Sequence, residues 1–259
     1  MSGEAVPLEA SLVLAGCHQL IYSDGTVLGD PMEKAALSSI GWTYHSDQTC
    51  VRRQPLGAPS LTSMLPPSVQ ARVGLRILKR FPFSSDLKRS STVVDVAPRF
   101  SPSLPVDSGS ALRIAAACDY IGCRGLFVLT KGSPETIKEL LATVPPGYDE
   151  CYQAHTRLGK RVLALASKRL HAEMGTADAP GADVTKLARD AVESGLTFRG
   201  LLVLHCPNKP ESQAVLEQLR TSGHELQMLT GDALLTATHA AHTLGISCLP
   251  PLLLELETL

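Results

Sequence analysis

Three short segments of the sequence carry residue types that could bind a phosphorylated ligand. The first is Lys131-Gly132-Ser133-Pro134, which follows an apolar run. Ser133 is a good helix N-cap, and Pro134 suits the first helical position, where its missing N–H costs nothing. Gly132 would let a ligand approach the backbone, and Lys131 would place a cation beside it. A plain strand, turn and capped helix is the more ordinary interpretation.

The second segment runs from Phe81 to Arg89. Aromatic residues make up only 4% of the chain. This segment is therefore the main part of the sequence where a flat base could stack on a ring while cations bind its phosphates. Phe81 and Phe83 would supply the rings, and Lys88 and Arg89 the charges. A core phenylalanine beside a solvated basic turn is the alternative, and on composition alone it is the commoner case.

The third segment is Thr230-Gly231-Asp232, between an apolar run and a helical pattern. Such a turn presents a hydroxyl, backbone N–H groups and a carboxylate to a phosphate and its Mg²⁺. A plain strand-to-helix turn explains it equally well. His239 and His242 lie three residues apart on the following helix, but the sequence offers no third ligand nearby, so no metal site is predicted.

Up to about residue 190, the sequence predicts helices and an antiparallel sheet. The helical segments are Leu12–Leu20 and Pro31–Ile40, the second with Asp30 as N-cap, and Tyr22–Thr26 contains an Asp-Gly turn. The segments with strand composition are Leu75–Phe83, Ser91–Val96, Gly125–Thr130 and Arg161–Lys168. Three stretches, at 54–70, 97–110 and 171–185, have the Pro, Ser, Gly or Ala content of surface loops.

Beyond residue 190 the pattern changes to strand, helix, strand, helix, strand. The predicted elements are a buried strand Leu201–His205, a helix Glu211–Ser222 ended by Gly223, a strand Glu225–Leu229, a helix Leu234–Leu244 ended by Gly245, and a strand Ile246–Leu249. This alternation is typical of a parallel, Rossmann-like unit. The predicted fold class is therefore α/β, with an α+β domain over residues 1–190 and a partial parallel domain over 191–259.

Composition excludes several classes of protein. The 259 residues are 44% apolar and 19% charged, which is typical of a folded chain, and the net charge of -1 shows no overall bias toward nucleic acid. The longest apolar runs fall far short of the roughly 18 residues of a membrane-spanning helix. The 7 cysteines contain no CxxC pair, and Met1 is not followed by a secretory pattern, so we expect structural thiols in a reducing compartment.

Taken in order, the segments resemble the cytosolic nucleotide-binding domain of a P-type ATPase, continuing into the phosphorylation domain, which is haloacid-dehalogenase-like. The resemblance extends from about Leu8 to Ile246, and it is specific because six motifs occur in the right order with the right approximate spacing. These motifs are Gly29–Ala35, Phe83–Arg89, Lys131–Glu135, Arg161–Ala166, Leu196–Gly200 and Thr230–Asp232.

Details of the motifs are similar to the type V branch, and most similar to its endoplasmic-reticulum members. The indicative features are Gly-Asp-Pro-x-Glu-Lys-Ala at 29–35, the ending Leu87-Lys88-Arg89, and Cys206-Pro207-Asn208-Lys209 where cation pumps usually have Asp-Pro-Pro-Arg. Members of that branch are described as transmembrane-helix dislocases or as cation-transporting ATPases.

The resemblance implies a nucleotide-binding role for one group of residues. Phe83 would stack on adenine, and Glu33 would support the adenine end of the site. Lys88 and Lys131 would flank the nucleotide, and Gly132 would let it approach. Arg161 would reach toward the phosphates.

A second group would act from the phosphorylation domain. The resemblance implies that Thr230, Gly231 and Asp232 contact the terminal phosphate and its Mg²⁺. Lys209 would stand in the place of a hinge-side arginine, although Cys206 replaces the carboxylate that many relatives have there. Ala233 stands where asparagine usually follows Thr-Gly-Asp.

Two motifs of the family are absent from the printed sequence: the phosphorylated aspartate in Asp-Lys-Thr-Gly-Thr, expected ahead of Met1, and Gly-Asp-Gly-x-Asn-Asp, expected after Leu259. Phosphoryl transfer needs both a nucleophile and a metal site, so we expect ATP or ADP binding with Mg²⁺ but no turnover by this chain alone. The implied partner is the remainder of a pump, with its membrane and actuator domains. The implied location is the cytosolic face of an intracellular membrane, that of the endoplasmic reticulum.

Two other classes of function stay open from the sequence. A non-catalytic nucleotide-binding or interaction module from a truncated gene product is one. A phosphatase of the haloacid-dehalogenase type is the other, and it is disfavoured because no Asp-x-Asp motif precedes the parallel half. The transported substrate is not encoded in these residues, because pump specificity lies in membrane helices.

Overall fold

The computed structural model describes residues 6–46, 48–52, 71–100, 125–170 and 184–247. The chain divides into two compact units: unit 1 comprises Met1–Val144 and Ala164–Gly200, and unit 2 comprises Pro145–Leu163 and Leu201–Leu259. The domain boundary near residue 190 stays a prediction of the sequence.

The helices are α1 Leu8–Gly16, α2 Pro31–Ser39, α3 Pro134–Leu140, α4 Tyr148–Arg157, α5 Arg189–Val192, α6 Ser212–Thr221 and α7 Leu234–Thr243, with a 3₁₀ turn at Val184–Lys186. The strands are β1 Ile21–Ser23, β2 Thr26–Leu28, β3 Trp42–Tyr44, β4 Thr49–Arg52, β5 Ala71–Ser84, β6 Arg89–Phe100, β7 Gly125–Gly132, β8 Arg161–Arg169 and β9 Thr197–Leu204. This mixture of helix and strand confirms the predicted α/β class.

One seven-stranded sheet, in the order β3-β4-β5-β6-β7-β8-β9, dominates the fold. Each neighbouring pair from β3 to β8 is antiparallel, as the strand composition predicted. The long β5–β6 hairpin lies at its centre, and its strands change register between Phe81 and Ser84. The hairpin therefore carries the 81–89 segment at its turn.

Local signals fixed the two predicted helix starts. The Asp30 carboxylate accepts from the Met32 and Glu33 N–H groups at 2.6 and 3.4 Å, and it begins α2 as predicted. The Ser133 hydroxyl accepts from the Thr136 N–H at 3.3 Å and begins α3. Both caps satisfy N–H groups that have no partner within the helix.

Helix α1 is apolar on most of its surface, and its residues from Ala10 to Gly16 are buried. It packs against β5 and β7. A Cβ atom at Gly16 would lie 2.5 Å from a methyl group of Leu129 and 3.2 Å from one of Val94, so glycine lets the end of the helix approach the sheet.

The predicted parallel arrangement beyond residue 190 is not confirmed. Helices α6 and α7 and strand β9 form, but β9 is half-buried rather than buried, and the predicted strand Glu225–Leu229 is wrong because these residues are irregular. A strand needs a neighbour for its backbone hydrogen bonds, and the described residues offer none there. Leu229 is accordingly fully exposed.

Other predicted segments fall partly or wholly outside the described residues. Residues 54–70 and most of 97–110 and 171–185 lie outside them, while 97–100 belong to β6 and 184–186 to the 3₁₀ turn. Of the predicted strand Ile246–Leu249, the two described residues are not in a strand.

The end of α1 leads into a buried polar cluster around His18. The His18 ring lies 4.8 Å from the Tyr44 ring and 3.5 Å, measured from Nε2, from the Cys50 sulfur, and its side chain is 3% exposed. Burial, reinforced by the positive charges of Arg80 and Lys131, lowers the pKa of His18 from 6.5 to about 3.

This depressed pKa predicts acid sensitivity. The unfolded His18 takes up a proton below pH 6.5, but the folded one does so only near pH 3, so stability is lost as the pH falls through this window. Within this window the free energy of unfolding should fall by up to about 1.4 kcal/mol for each pH unit. Urea unfolding at pH 7.5, 6 and 5 should show a shallower acid loss for His18→Gln than for the wild type. The exposed His45→Gln serves as control, and an equal loss in His18→Gln would contradict the assignment.

Candidate functional site

The turn between β5 and β6 presents Phe83 and Lys88 at the surface. Phe83 is 58% exposed, which distinguishes it from a core residue. The Lys88 N–H donates to the Ser84 carbonyl at 2.8 Å, and Lys88 has φ of +47°, in the left-handed region. Its carbonyl accepts from the Ser133 N–H at 3.0 Å. The Lys88 backbone is therefore held from both sides while its side chain faces solvent.

Gly132 supports this turn from the neighbouring strand. A Cβ atom there would lie 2.7 Å from the Lys88 carbonyl oxygen and 2.7 Å from the Arg89 Cβ. Because Gly132 has no side chain, the backbone of Lys88 and Arg89 can pack directly against it. Whether a nucleotide also approaches Gly132 stays a prediction.

The next two predicted residues meet in an ion pair. Lys131, at the end of β7, places Nζ 2.6 Å from Oε1 of Glu33 on α2, and their side chains are 13% and 16% exposed. The other Glu33 oxygen accepts from the Gln19 N–H at 2.9 Å. The carboxylate therefore orients the lysine and offsets its charge.

The remaining predicted residues lie in unit 2. Arg161 and Asp232 form an ion pair although both side chains are well exposed, at 40% and 35%. The Thr230 hydroxyl accepts from the Asp232 N–H at 3.1 Å, which closes the turn ahead of α7. Gly231 and Lys209 are exposed. The predicted site residues therefore form two groups, one in unit 1 and one in unit 2. Arg161, which was predicted with the nucleotide-binding residues, lies in the unit 2 group.

Within the described ranges, no group of three His, Cys, Asp or Glu side chains could hold a metal ion. Asp232 is a single carboxylate already paired with Arg161, whereas Mg²⁺ demands six oxygen ligands. These residues therefore do not fit a preformed Mg²⁺ site. None of the helices in the described part of the chain is long and apolar enough to cross a bilayer.

Sequence reasoning missed a buried ion cluster behind the β5–β6 turn. Glu193, just after α5, is 1% exposed and pairs with Arg89 at 2.6 Å and with Arg189 at 2.9 Å. Arg189 and Glu193 stand four residues apart, which is a recognisable helical pair. The sequence predicted a domain boundary near residue 190, which separates Arg189 from Glu193 and so obscured this pair.

The sequence profile of the family "P-type ATPase, cytoplasmic domain N" matches residues 68–211. The chain is 38% identical over 249 residues to the probable manganese-transporting ATPase PDR2 of Arabidopsis thaliana, covering 96% of this chain and 17% of that protein. It is 37% identical to an endoplasmic reticulum transmembrane helix translocase of Saccharomyces cerevisiae, covering 95% and 16%. It is 33% identical to the human polyamine-transporting ATPase 13A2, covering 90% and 18%.

The family profile covers more than half of the chain, and each of these relatives is similar to it over at least 90% of its length. The chain belongs to the P-type ATPases. The relatives confirm the predicted type V branch with its endoplasmic-reticulum members. The chain spans only 16 to 18% of the length of the three relatives described above.

The packing of Gly132 generates a testable prediction. Gly132→Ala should lower the free energy of unfolding by about 1–3 kcal/mol, because the added methyl group meets backbone atoms that must move. The amide resonances of Lys88 and Arg89 should shift. Ser85→Ala, an exposed change in the same turn, should stay within about 0.5 kcal/mol of the wild type. Wild-type stability and unshifted resonances in Gly132→Ala would contradict the close packing.

Proposed function

We propose that unit 1 binds the adenine end of ATP or ADP at the β5–β6 turn. The observation that carries this proposal is the exposure of Phe83, a large apolar ring left in solvent on the same hairpin as the exposed Lys88. A ring in that setting offers a stacking surface for a flat base, and such contacts contribute about 1–3 kcal/mol per base. The choice of an adenine nucleotide is supported by the chain's membership in the P-type ATPase family.

The Glu33–Lys131 pair forms the second part of the proposed site. An ammonium group has three N–H donors, so Lys131 keeps donors for a ligand after it binds Glu33. The ion pair fixes where those donors point. We assign Lys131 to hydrogen bonding along the nucleotide, with Glu33 orienting it, and Gly132 to holding the turn that carries Lys88.

For the predicted residues of unit 2 we propose contacts with phosphate. Arg161 carries the positive charge, Thr230 and Gly231 offer a hydroxyl and a backbone N–H, and Lys209 adds an exposed cation. Asp232 is assigned to the Mg²⁺ that accompanies the phosphates. Because Mg²⁺ takes six oxygen ligands, phosphate oxygens, water or residues outside the described ranges would supply the others.

For the whole protein, we propose a type V ATPase that couples ATP hydrolysis to transport at the endoplasmic-reticulum membrane. This chain would face the cytosol and work with the membrane and actuator domains of the same pump. The names of the relatives support this role, because they describe a transmembrane helix translocase, a cation transporter and a polyamine transporter. The cargo, a cation or a transmembrane helix, is not assigned.

The binding proposal predicts a weak, adenine-dominated interaction. ATP, ADP and AMP should bind with similar dissociation constants on the order of a millimolar, or about 4 kcal/mol. Phe83→Ala should lose about 1–3 kcal/mol of that binding with little change in stability. Chemical-shift titration measures both the affinities and the residues affected.

Leu78→Ala is the matched control, because it removes an apolar side chain of β5 that is 36% exposed and lies away from the turn. It should bind all three nucleotides as the wild type does. Unchanged affinity in Phe83→Ala would contradict stacking on this ring. A loss of about 3–5 kcal/mol in its folding free energy would show that the ring serves packing instead. A strong preference for ATP would contradict the dominance of adenine.

A further inference from the structure

Both carboxylate oxygens of Glu193 are engaged in the interior of unit 1. Oε2 accepts from Arg89 Nε at 2.6 Å, and Oε1 accepts from Arg189 Nε at 2.9 Å and from the Ser91 hydroxyl at 2.5 Å. The Ser91 hydroxyl also lies 2.9 Å from that of Thr130. A carboxylate buried to this extent is tolerated because two guanidinium groups and a hydroxyl replace its water.

Arg189 extends this cluster to both ends of the β5–β6 turn. Its Nη2 donates to the Pro82 carbonyl at 2.9 Å, on the β5 side, and to the Arg89 carbonyl at 3.3 Å, on the β6 side. Phe83 follows the first of these residues and Lys88 precedes the second. One planar guanidinium group therefore bridges the two ends of the turn that carries the proposed adenine contacts.

The segment that supplies Arg189 and Glu193 is itself fixed to the sheet. We call residues 184–194 the docking segment. Lys79 Nζ donates to the Leu187 carbonyl at 2.8 Å and also to the Thr185 carbonyl, and Lys168 Nζ donates to the Ser194 carbonyl at 2.6 Å. The docking segment is thus attached near both of its ends, with the buried carboxylate between them.

We propose that Glu193 is a positioning residue for nucleotide binding. It orients Arg189 and Arg89, which set the shape of the turn and so the placement of Phe83 and Lys88. This inference rests on the proposed function of that turn. It assigns to the docking segment a task in ligand recognition that is separate from its contribution to folding.

Three geometric features support positioning over general packing. Glu193 ties Arg89 of the turn to Arg189 of the docking segment, so it connects two parts of the chain that are about a hundred residues apart in sequence. The carbonyls that Arg189 binds flank Phe83 and Lys88 directly. Phe81, which precedes the turn, is covered by Arg189 and Lys79 at 5.9 and 5.1 Å. The base of the turn is therefore fixed while its tip stays open to a ligand.

The test is a double-mutant cycle on ADP affinity, measured at a temperature where every variant is folded. Glu193→Gln keeps the shape of the side chain but removes its charge, and it should weaken ADP binding about five-fold or more. In the Phe83→Ala background the same change should have a much smaller effect, because the ring that Glu193 positions is absent and only the placement of Lys88 remains. Arg189→Lys, which keeps the charge but loses the planar fork, should weaken ADP binding similarly.

Leu75→Ala provides the control for stability. Leu75 is fully buried on β5 away from the turn, so its truncation should lower the melting temperature but leave ADP affinity unchanged. Equal weakening by Leu75→Ala would show that destabilisation alone reduces binding, and it would overturn the inference. Wild-type ADP affinity in Glu193→Gln would also overturn the inference. The same would follow if Glu193→Gln weakened ADP binding by an equal factor in the presence and in the absence of the Phe83 ring.

The two proposals fail in different ways. Weaker ADP binding by Phe83→Ala together with wild-type binding by Glu193→Gln would leave the proposed function standing and overturn only the positioning role. An absence of ADP shifts around Phe83 in the wild type would overturn both. If Glu193→Gln does not fold, Arg189→Lys decides the matter, because wild-type ADP affinity in that variant contradicts the bridge across the turn.

Discussion

The buried carboxylate of Glu193 is the interaction on which the arrangement of unit 1 depends. Taking one such charge out of water costs several kcal/mol unless partners replace the lost hydration. Here Arg89 and Arg189 do so, and each comes from a different part of the chain. Separating the docking segment from the β5–β6 hairpin would leave all three charges poorly compensated. The hairpin and the docking segment are therefore held in one arrangement.

Two phenylalanines of β5 that lie only two residues apart have different surroundings. Alternate residues of a regular strand share a face, so Phe81 and Phe83 would be expected to share theirs. The register between β5 and β6 changes between Phe81 and Ser84, and such irregularities redirect side chains. Phe81 lies under Arg189 of the docking segment and Lys79 of β5, while Phe83 faces solvent. An exposed ring thus coexists with a fixed base.

The parts of the fold that were predicted correctly from sequence depend on local chemistry. Asp30 and Ser133 cap their helices whatever the rest of the chain does, and the strand composition of unit 1 identified its antiparallel sheet. The predicted strand Glu225–Leu229 failed because a strand also needs a neighbour, which composition does not reveal. In the site, residue types marked Phe83 and Lys131, but the Glu33 partner of Lys131 and the cluster around Glu193 arise from contacts between distant residues. These contacts join helix α2 and the docking segment to strands β6 and β7, so spacing along the sequence does not reveal them.

The charges in unit 1 bear on which part of a nucleotide the proposed site would recognise. The Lys131 ammonium is offset by Glu33 at 2.6 Å, and the guanidinium groups of Arg89 and Arg189 are committed to Glu193. An exposed lysine such as Lys88 interacts with a phosphate through solvent, where each charge pair contributes little. Stacking on Phe83 needs no charge and is insensitive to the number of phosphates. The site proposed for unit 1 is therefore expected to recognise the base rather than the number of phosphates.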